Sequence, residues 1–264
     1  IDVDNDYVVD YIYAGDLYGN MWKFDVNDAN ASNWDVAWVS GPTKKPLFTT
    51  ATGQPITTRP AVGLHPEEDG VMVYFGTGKY IEKDDNNALS EPDQSFYGIW
   101  DKHESAASGL PVLASELLVQ TIDHEFSNTF GDETFSLRIT SDNTADWDVH
   151  EGWRLDLVNR TISPVNNLGE RQVAEAILRN GRVIFPTNLP SDTPCTPGGT
   201  SWLMELDATD GSRLAETPFD LDGDGVFSAA DFTYAESLED IPNVPTSGVK
   251  SKEGIISRPG ILRD

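Results

Sequence analysis

The sequence predicts an all-β fold, a partial, modified β-propeller with long loop insertions. Two observations carry this. A strand, a glycine and an aromatic strand ending in Asp recur along the chain, and a short lead-in segment recurs with them. The copies stand roughly 60 to 115 residues apart, well beyond a regular blade period, so insertions must separate them. A β-sandwich with fortuitous self-similarity is the competing architecture.

In chain order, Tyr11–Gly15 (YIYAG) reads as a buried strand, 16–20 (DLYGN) as a glycine turn and 21–26 (MWKFDV) as an alternating strand. Alternation puts Trp22 and Phe24 on one face and Lys23 and Asp25 on the other. Residues 56–63 (ITTRPAVG) read as a short strand with Pro60 at an edge or inner end. Val71–Gly76 (VMVYFG) is a continuous apolar run, hence a strand buried on both faces, and Ser95–Asp101 (SFYGIWD) follows a polar insertion. Residues 106–119 have helical character. Residues 153–158 (WRLDLV), 182–187 (RVIFPT) and 201–207 (SWLMELD) are further strands, and Asn180-Gly181 marks a hairpin. The lead-in of residues 56–63 has counterparts at 256–262 (ISRPGIL) and, more weakly, at 170–176.

Composition narrows the function classes. Among 264 residues, 18 basic and 44 acidic side chains give a formal net charge of −26. Such a field repels phosphate backbones and anionic lipid heads, so neither nucleic acid nor a membrane surface is an expected partner. No apolar run is long enough to span a bilayer. Cys195 is the only cysteine, and the four histidines are too scattered for a zinc site and read as loop or surface residues. Trp34, Trp38 and Trp147 fall in loops as candidate surface anchors, whereas tryptophans 22, 100, 153 and 202 fall on strands. No nucleophile elbow, P-loop or dinucleotide fingerprint occurs.

The chemistry lies in two acidic loops. Asp2, Asp4, Asp6 and Asp10 hold relative positions 1, 3, 5 and 9, and Val8 offers a backbone carbonyl at position 7. Alternating carboxylates on a short loop converge on one point, and a hard cation such as Ca2+ neutralises the crowded charge. Tyr7 stands where an EF-hand loop has its turn glycine, and Tyr13 where it has its closing acid, so this would be a shortened loop feeding a strand. The second loop, DLDGDGVFSAAD, fits better: Asp220, Asp222 and Asp224 at 1, 3 and 5, Gly225 at 6, the Val226 carbonyl at 7, Ser228 at 9 and Asp231 closing at 12. A short helical turn is expected from Ser228 onward.

The acidic loop running into YAGDLYGNMWKFD resembles the C-terminal domain of the PilY family of type IV pilus proteins. VYFGTGKYI followed by FYGIWD, and the late CTPGGTSWLMELD segment, are similar to it as well. The resemblance implies a modified β-propeller without enzymatic activity. It implies export through the periplasm to the cell surface at the pilus tip, with pilins or minor pilins and a host or abiotic surface as partners. It also implies a calcium-dependent role in pilus extension, retraction and attachment, with calcium at the loop aligned with Asp2, Asp4, Asp6 and Asp10. Residues 1–264 would then be part of a single propeller domain, the C-terminal half of a larger one. A quinoprotein-dehydrogenase-like propeller enzyme and a calcium-stabilised carbohydrate-binding propeller are the alternatives from other classes.

Overall fold

The computed structural model describes residues 1–87, 92–103, 109–161, 167–191, 198–232 and 243–260. Its described residues form strands and short 3-10 turns and contain no α-helix. Three sheets stack in succession.

The first sheet holds β1 (Tyr11–Gly15) and β2 (Asn20–Asp25), with β3 (Asp35–Val36) and β6 (Phe48–Thr49) both paired to β2. A two-stranded ribbon, β4 (Val39–Ser40) with β5 (Thr43–Lys44), lies on the excursion between them. The second sheet comprises β7 (Ala61–Leu64), β8 (Val71–Gly76), β9 (Ser95–Asp101), β10 (Leu118–Gln120) and β13 (Gly152–Asp156), in the order β10-β13-β9-β8-β7. Only the β10–β13 pairing within it is parallel. The third sheet is antiparallel. It comprises β11 (Ile122–Phe130), β12 (Glu133–Thr140), β14 (Ile177–Arg179), β15 (Arg182–Pro186), β18 (Trp202–Asp207) and β19 (Gly248–Lys250), in the order β11-β12-β19-β18-β15-β14. A ribbon of β16 (Leu189–Pro190) and β17 (Gly199–Thr200) caps its flank.

The second sheet is the middle layer, which explains its apolar runs: every residue of β8 and β9 is buried. On one face, Val71, Val73, Phe75, Tyr97 and Ile99 pack with Tyr13, Met21 and Phe48 of the first sheet. On the other, Met72, Tyr74, Phe96 and Trp153 pack with Val183, Phe185 and Met204 of the third. Phe96 and Phe185 stack with centroids 3.8 Å apart across that seam. Alternation along β8 and β9 thus feeds two cores at once.

Strands β1, β8 and β9 have their expected bounds, and the Asn180-Gly181 turn joins β14 to β15 with φ of 51° and 73°, the left-handed pair a two-residue hairpin requires. Elsewhere the structure corrects the reading. Residues 56–63 become a strand only at Ala61–Leu64, after Pro60. The helical segment at 106–119 is instead a 3-10 turn at Ala114–Glu116 followed by strand β10 where it is described. Residues 256–260 form no strand. The long β11–β12 hairpin was not expected at all. His65 is no surface residue but 6% exposed, its ring 4.4 Å from that of Trp147 and 4.8 Å from that of Trp100. Of the loop tryptophans only Trp34 is exposed; Trp38 is buried and Trp147 packs against the core. On β2 the face carrying Lys23, with Met21, is the buried one. Cys195 lies outside the described residues.

Candidate metal centres

The first loop folds around its own carboxylates. Asp2 accepts the backbone N–H of Asn5 at 2.7 Å on one oxygen and that of Tyr7 at 2.8 Å on the other. Asp4 accepts from the Asp6 N–H at 3.0 Å, and Asp6 from the Val8 N–H at 2.7 Å. Asn5 and Tyr7 take positive φ, 63° and 71°, to aim these amides inward. Asp10, buried at the foot of β1, accepts from the Val3 N–H at 2.6 Å and so closes the loop. The Asp10 carbonyl accepts from Val26 N–H at 2.9 Å, tying that closure to the end of β2.

The second loop repeats this scheme position by position. Asp220 accepts from Gly223 at 2.8 Å and Gly225 at 3.0 Å, Asp222 from Asp224 at 3.0 Å, and Asp224 from Val226 at 2.7 Å. Gly223 and Gly225, with φ of 74° and 82°, stand where Asn5 and Tyr7 stand in the first loop. The glycine missing from the first loop is therefore not missing from its geometry: Tyr7 adopts the left-handed backbone, with its ring 98% exposed. Asp231, fully buried, accepts from Leu221 at 2.7 Å and Asp222 at 3.2 Å on one oxygen, and from Ser228 at 2.9 Å on the other. The expected helical turn is present as a 3-10 turn at Ala229–Asp231, capped by the Ser228 hydroxyl. The remainder of the helix expected beyond it, residues 233–238, lies outside the described residues.

Of the predicted ligands, the structure brings together Asp2, Asp4 and Asp10, and separately Asp220, Asp222 and Asp224, each trio with one oxygen per residue inside 4.8 Å of the others. Asp6 and Asp231 fall outside these trios. Sequence spacing missed that Asp10 does the closing work of Asp231, because both reach back to the second residue of their loop. A separation of 4.8 Å is about twice a Ca–O distance of ~2.4 Å, so each trio fits one hard cation with oxygen-only ligands. Val8 and Val226 are exposed at 56% and 58%.

Comparison with known proteins places the fold. The family model described as the PilY1 beta-propeller domain matches residues 1–134. The type IV pilus biogenesis factor PilY1 of Pseudomonas aeruginosa strain PAO1 is 34% identical over 95% of this chain, which covers 23% of that protein. A PilY1 homolog of Xylella fastidiosa strain Temecula1 is 34% identical over 80% of the chain and 14% of its own length. The crystal structure of the Pseudomonas aeruginosa PilY1 C-terminal domain matches with a TM-score of 0.81 at 31% identity, covering 96% of this chain and 53% of that one. The chain thus spans under a quarter of the curated relatives' length. Its fold is a β-propeller built of irregular, loop-interrupted blades. The chain belongs to the PilY1 β-propeller family, and the curated relatives it matches are type IV pilus biogenesis factors.

Proposed function

We propose that this chain is the calcium-binding propeller of a type IV pilus biogenesis factor and tip adhesin. In this reading it acts outside the cell at the pilus tip, contacts pilins or minor pilins and a host or abiotic surface, and influences extension, retraction and attachment. Residues 1–264 form part of a single propeller domain, the C-terminal half of a larger one. The observation that carries the calcium reading is the shared hydrogen-bond scheme of the two acidic loops. Two stretches of different sequence converge on one backbone path that turns three carboxylates toward a common point.

The mechanism follows from charge. Without a cation, each trio holds like charges a few ångströms apart, and their mutual repulsion opposes the loop. Asp2, Asp4 and Asp10 in one loop, or Asp220, Asp222 and Asp224 in the other, would hold Ca2+, which would neutralise that charge, with the Val8 and Val226 carbonyls as further donors. The first loop ends where β1 begins, so binding there orders the edge of the first sheet. A calcium-dependent surface would then bias docked against undocked states of the pilus tip.

Isothermal titration of the full-length protein with CaCl2 tests the reading. Binding that falls on substituting Asp4 and Asp222 supports it; an absence of calcium binding overturns it. Pilus extension and surface attachment in cells carrying the same substitutions test the biological half separately.

A further inference from the structure

Lys23 of β2 points into the interior at 2% exposure. Its Nζ lies 2.8 Å from Oδ2 of Asp101, at the end of β9, and 2.7 Å from Nδ1 of His103. The rings of Tyr11 and Trp38 close over the amine, with centroids 3.9 and 4.8 Å away. Asp101 is 1% exposed. Its Oδ2 also accepts the Tyr13 phenol at 2.5 Å, and its Oδ1 accepts the backbone N–H of His103 at 2.8 Å. His103 has a left-handed backbone, φ 55°, and its Nε2 is buried without a hydrogen-bond partner, so Nδ1 is the nitrogen the ring brings to the amine.

We propose that Lys23 and Asp101 become joined by an intramolecular isopeptide bond, formed by these side chains themselves as the first and second sheets pack. The pair has the components such a condensation needs. Lys23 Nζ attacks Asp101 Cγ, the Nζ–Cγ bond forms and the Cγ–Oδ2 bond breaks. The ammonium gives up two protons, and both leave with Oδ2 as one water, so no oxidant, reductant or activating group is required. His103 Nδ1, 2.7 Å from Nζ and 3.6 Å from Oδ2, stands where it can carry a proton from the amine to the departing oxygen. The Tyr13 hydroxyl donates to that same oxygen, and Oδ1, held by the His103 N–H, becomes the amide carbonyl. A cavity of about 210 Å³ lined by Trp38, Asp101 and Val112 receives the water.

Two physical terms favour the product. The reacting atoms are held by packed strands, which replaces a dilute encounter by a fixed one. An ion pair enclosed by aromatic rings keeps two charges out of water, and a neutral amide removes both. The environment also tunes the groups. Burial pushes the Lys23 ammonium below its usual value, against the pull of Asp101, which makes the nucleophilic amine accessible. Burial, then the Asp101 charge, pushes the Tyr13 phenol up, which keeps it a donor. The linkage would fasten the first sheet to the second covalently.

Protease digestion of the purified full-length protein, followed by mass spectrometry, tests this. The expected main product is a branched peptide joining the Lys23 and Asp101 segments, one water lighter than their sum, with Lys23 unreactive to amine labels after denaturation. Lys23→Arg and Asp101→Ala abolish the branched peptide, and His103→Ala slows its appearance in freshly refolded protein. Recovery of both segments chiefly as linear peptides, with Lys23 labelled on denaturation, overturns the proposal and leaves an ion pair. The unsubstituted protein decides this even if a variant fails to fold.

Discussion

Arg138 and Glu170 meet through two parallel hydrogen bonds of 2.8 Å, one from each terminal guanidinium nitrogen to each carboxylate oxygen, at 1% and 5% side-chain exposure. The guanidinium also lies 4.1 Å from the Trp202 ring and bonds Glu125 on β11, while the Thr187 hydroxyl donates to Glu170 at 2.7 Å. Removing Glu170 leaves the buried guanidinium with Glu125, 30% exposed, as its remaining carboxylate partner, and leaves the Thr187 hydroxyl without its acceptor. Glu170→Ala should therefore cost about 3–5 kcal/mol in urea denaturation. Breaking an exposed pair such as Lys252 with Glu133 should cost far less, because solvent screens it.

The two acidic loops should stabilise the protein independently, since they belong to separate segments of the fold. Calcium at about a hundred times its Kd should add about 2.7 kcal/mol per site, read as a rise in Tm over the chelated protein. Because the structure groups Asp4 and not Asp6 with Asp2 and Asp10, Asp4→Ala should weaken calcium binding more than Asp6→Ala. Equal losses in titration calorimetry would place the ion differently.

Trp153 is gripped between two glycines. A Cβ on Gly98 would lie 2.5 Å from its indole nitrogen, and one on Gly211 would lie 2.3 Å from its ring. Gly98→Ala should cost about 1–3 kcal/mol by overpacking. Gly211→Ala should cost more, since its φ of 73° also disfavours any side chain. Thermal unfolding of both variants checks the order.

His65 should make the fold sensitive to mild acid. Burial lowers its pKa despite the nearby Glu67 carboxylate, and its Nδ1 accepts the N–H groups of Glu67 and Glu68, which requires a neutral ring. The folded value lies below the ordinary 6.5, so this contribution is full above 6.5. Below that it diminishes, as the unfolded chain takes up the proton first, and is lost as pH falls through the folded value. His65→Phe should flatten the stability profile across that window.

Much of the fold was legible because the middle sheet is buried on both faces. VMVYFG and SFYGIWD declare themselves as strands without any partner in view. The β11–β12 hairpin did not, because IDHEFSNTF exposes every second residue or so and carries few large apolar side chains to mark the inward ones. Lys23 was illegible for another reason: what makes its burial tolerable is Asp101, far away in sequence and delivered by a different sheet. The acidic loops showed their positions through spacing alone. That Asp10 closes its loop was not visible, because the closure depends on a single contact with the Val3 amide.

Strand β19 lies between β12 and β18, with Val249 opposite both Leu137 and Leu203. A growing chain that has passed β18 therefore holds the third sheet as two unjoined halves, each with a bare inner edge. The five other strands of this sheet all precede β19 in the chain, so none of them fills that gap. The completed sheet has to wait for residues 248–250 to emerge, and until then the exposed edges invite pairing with other chains. Assembly of this sheet is thus gated by the order of synthesis, with a three-residue strand as its final fastening.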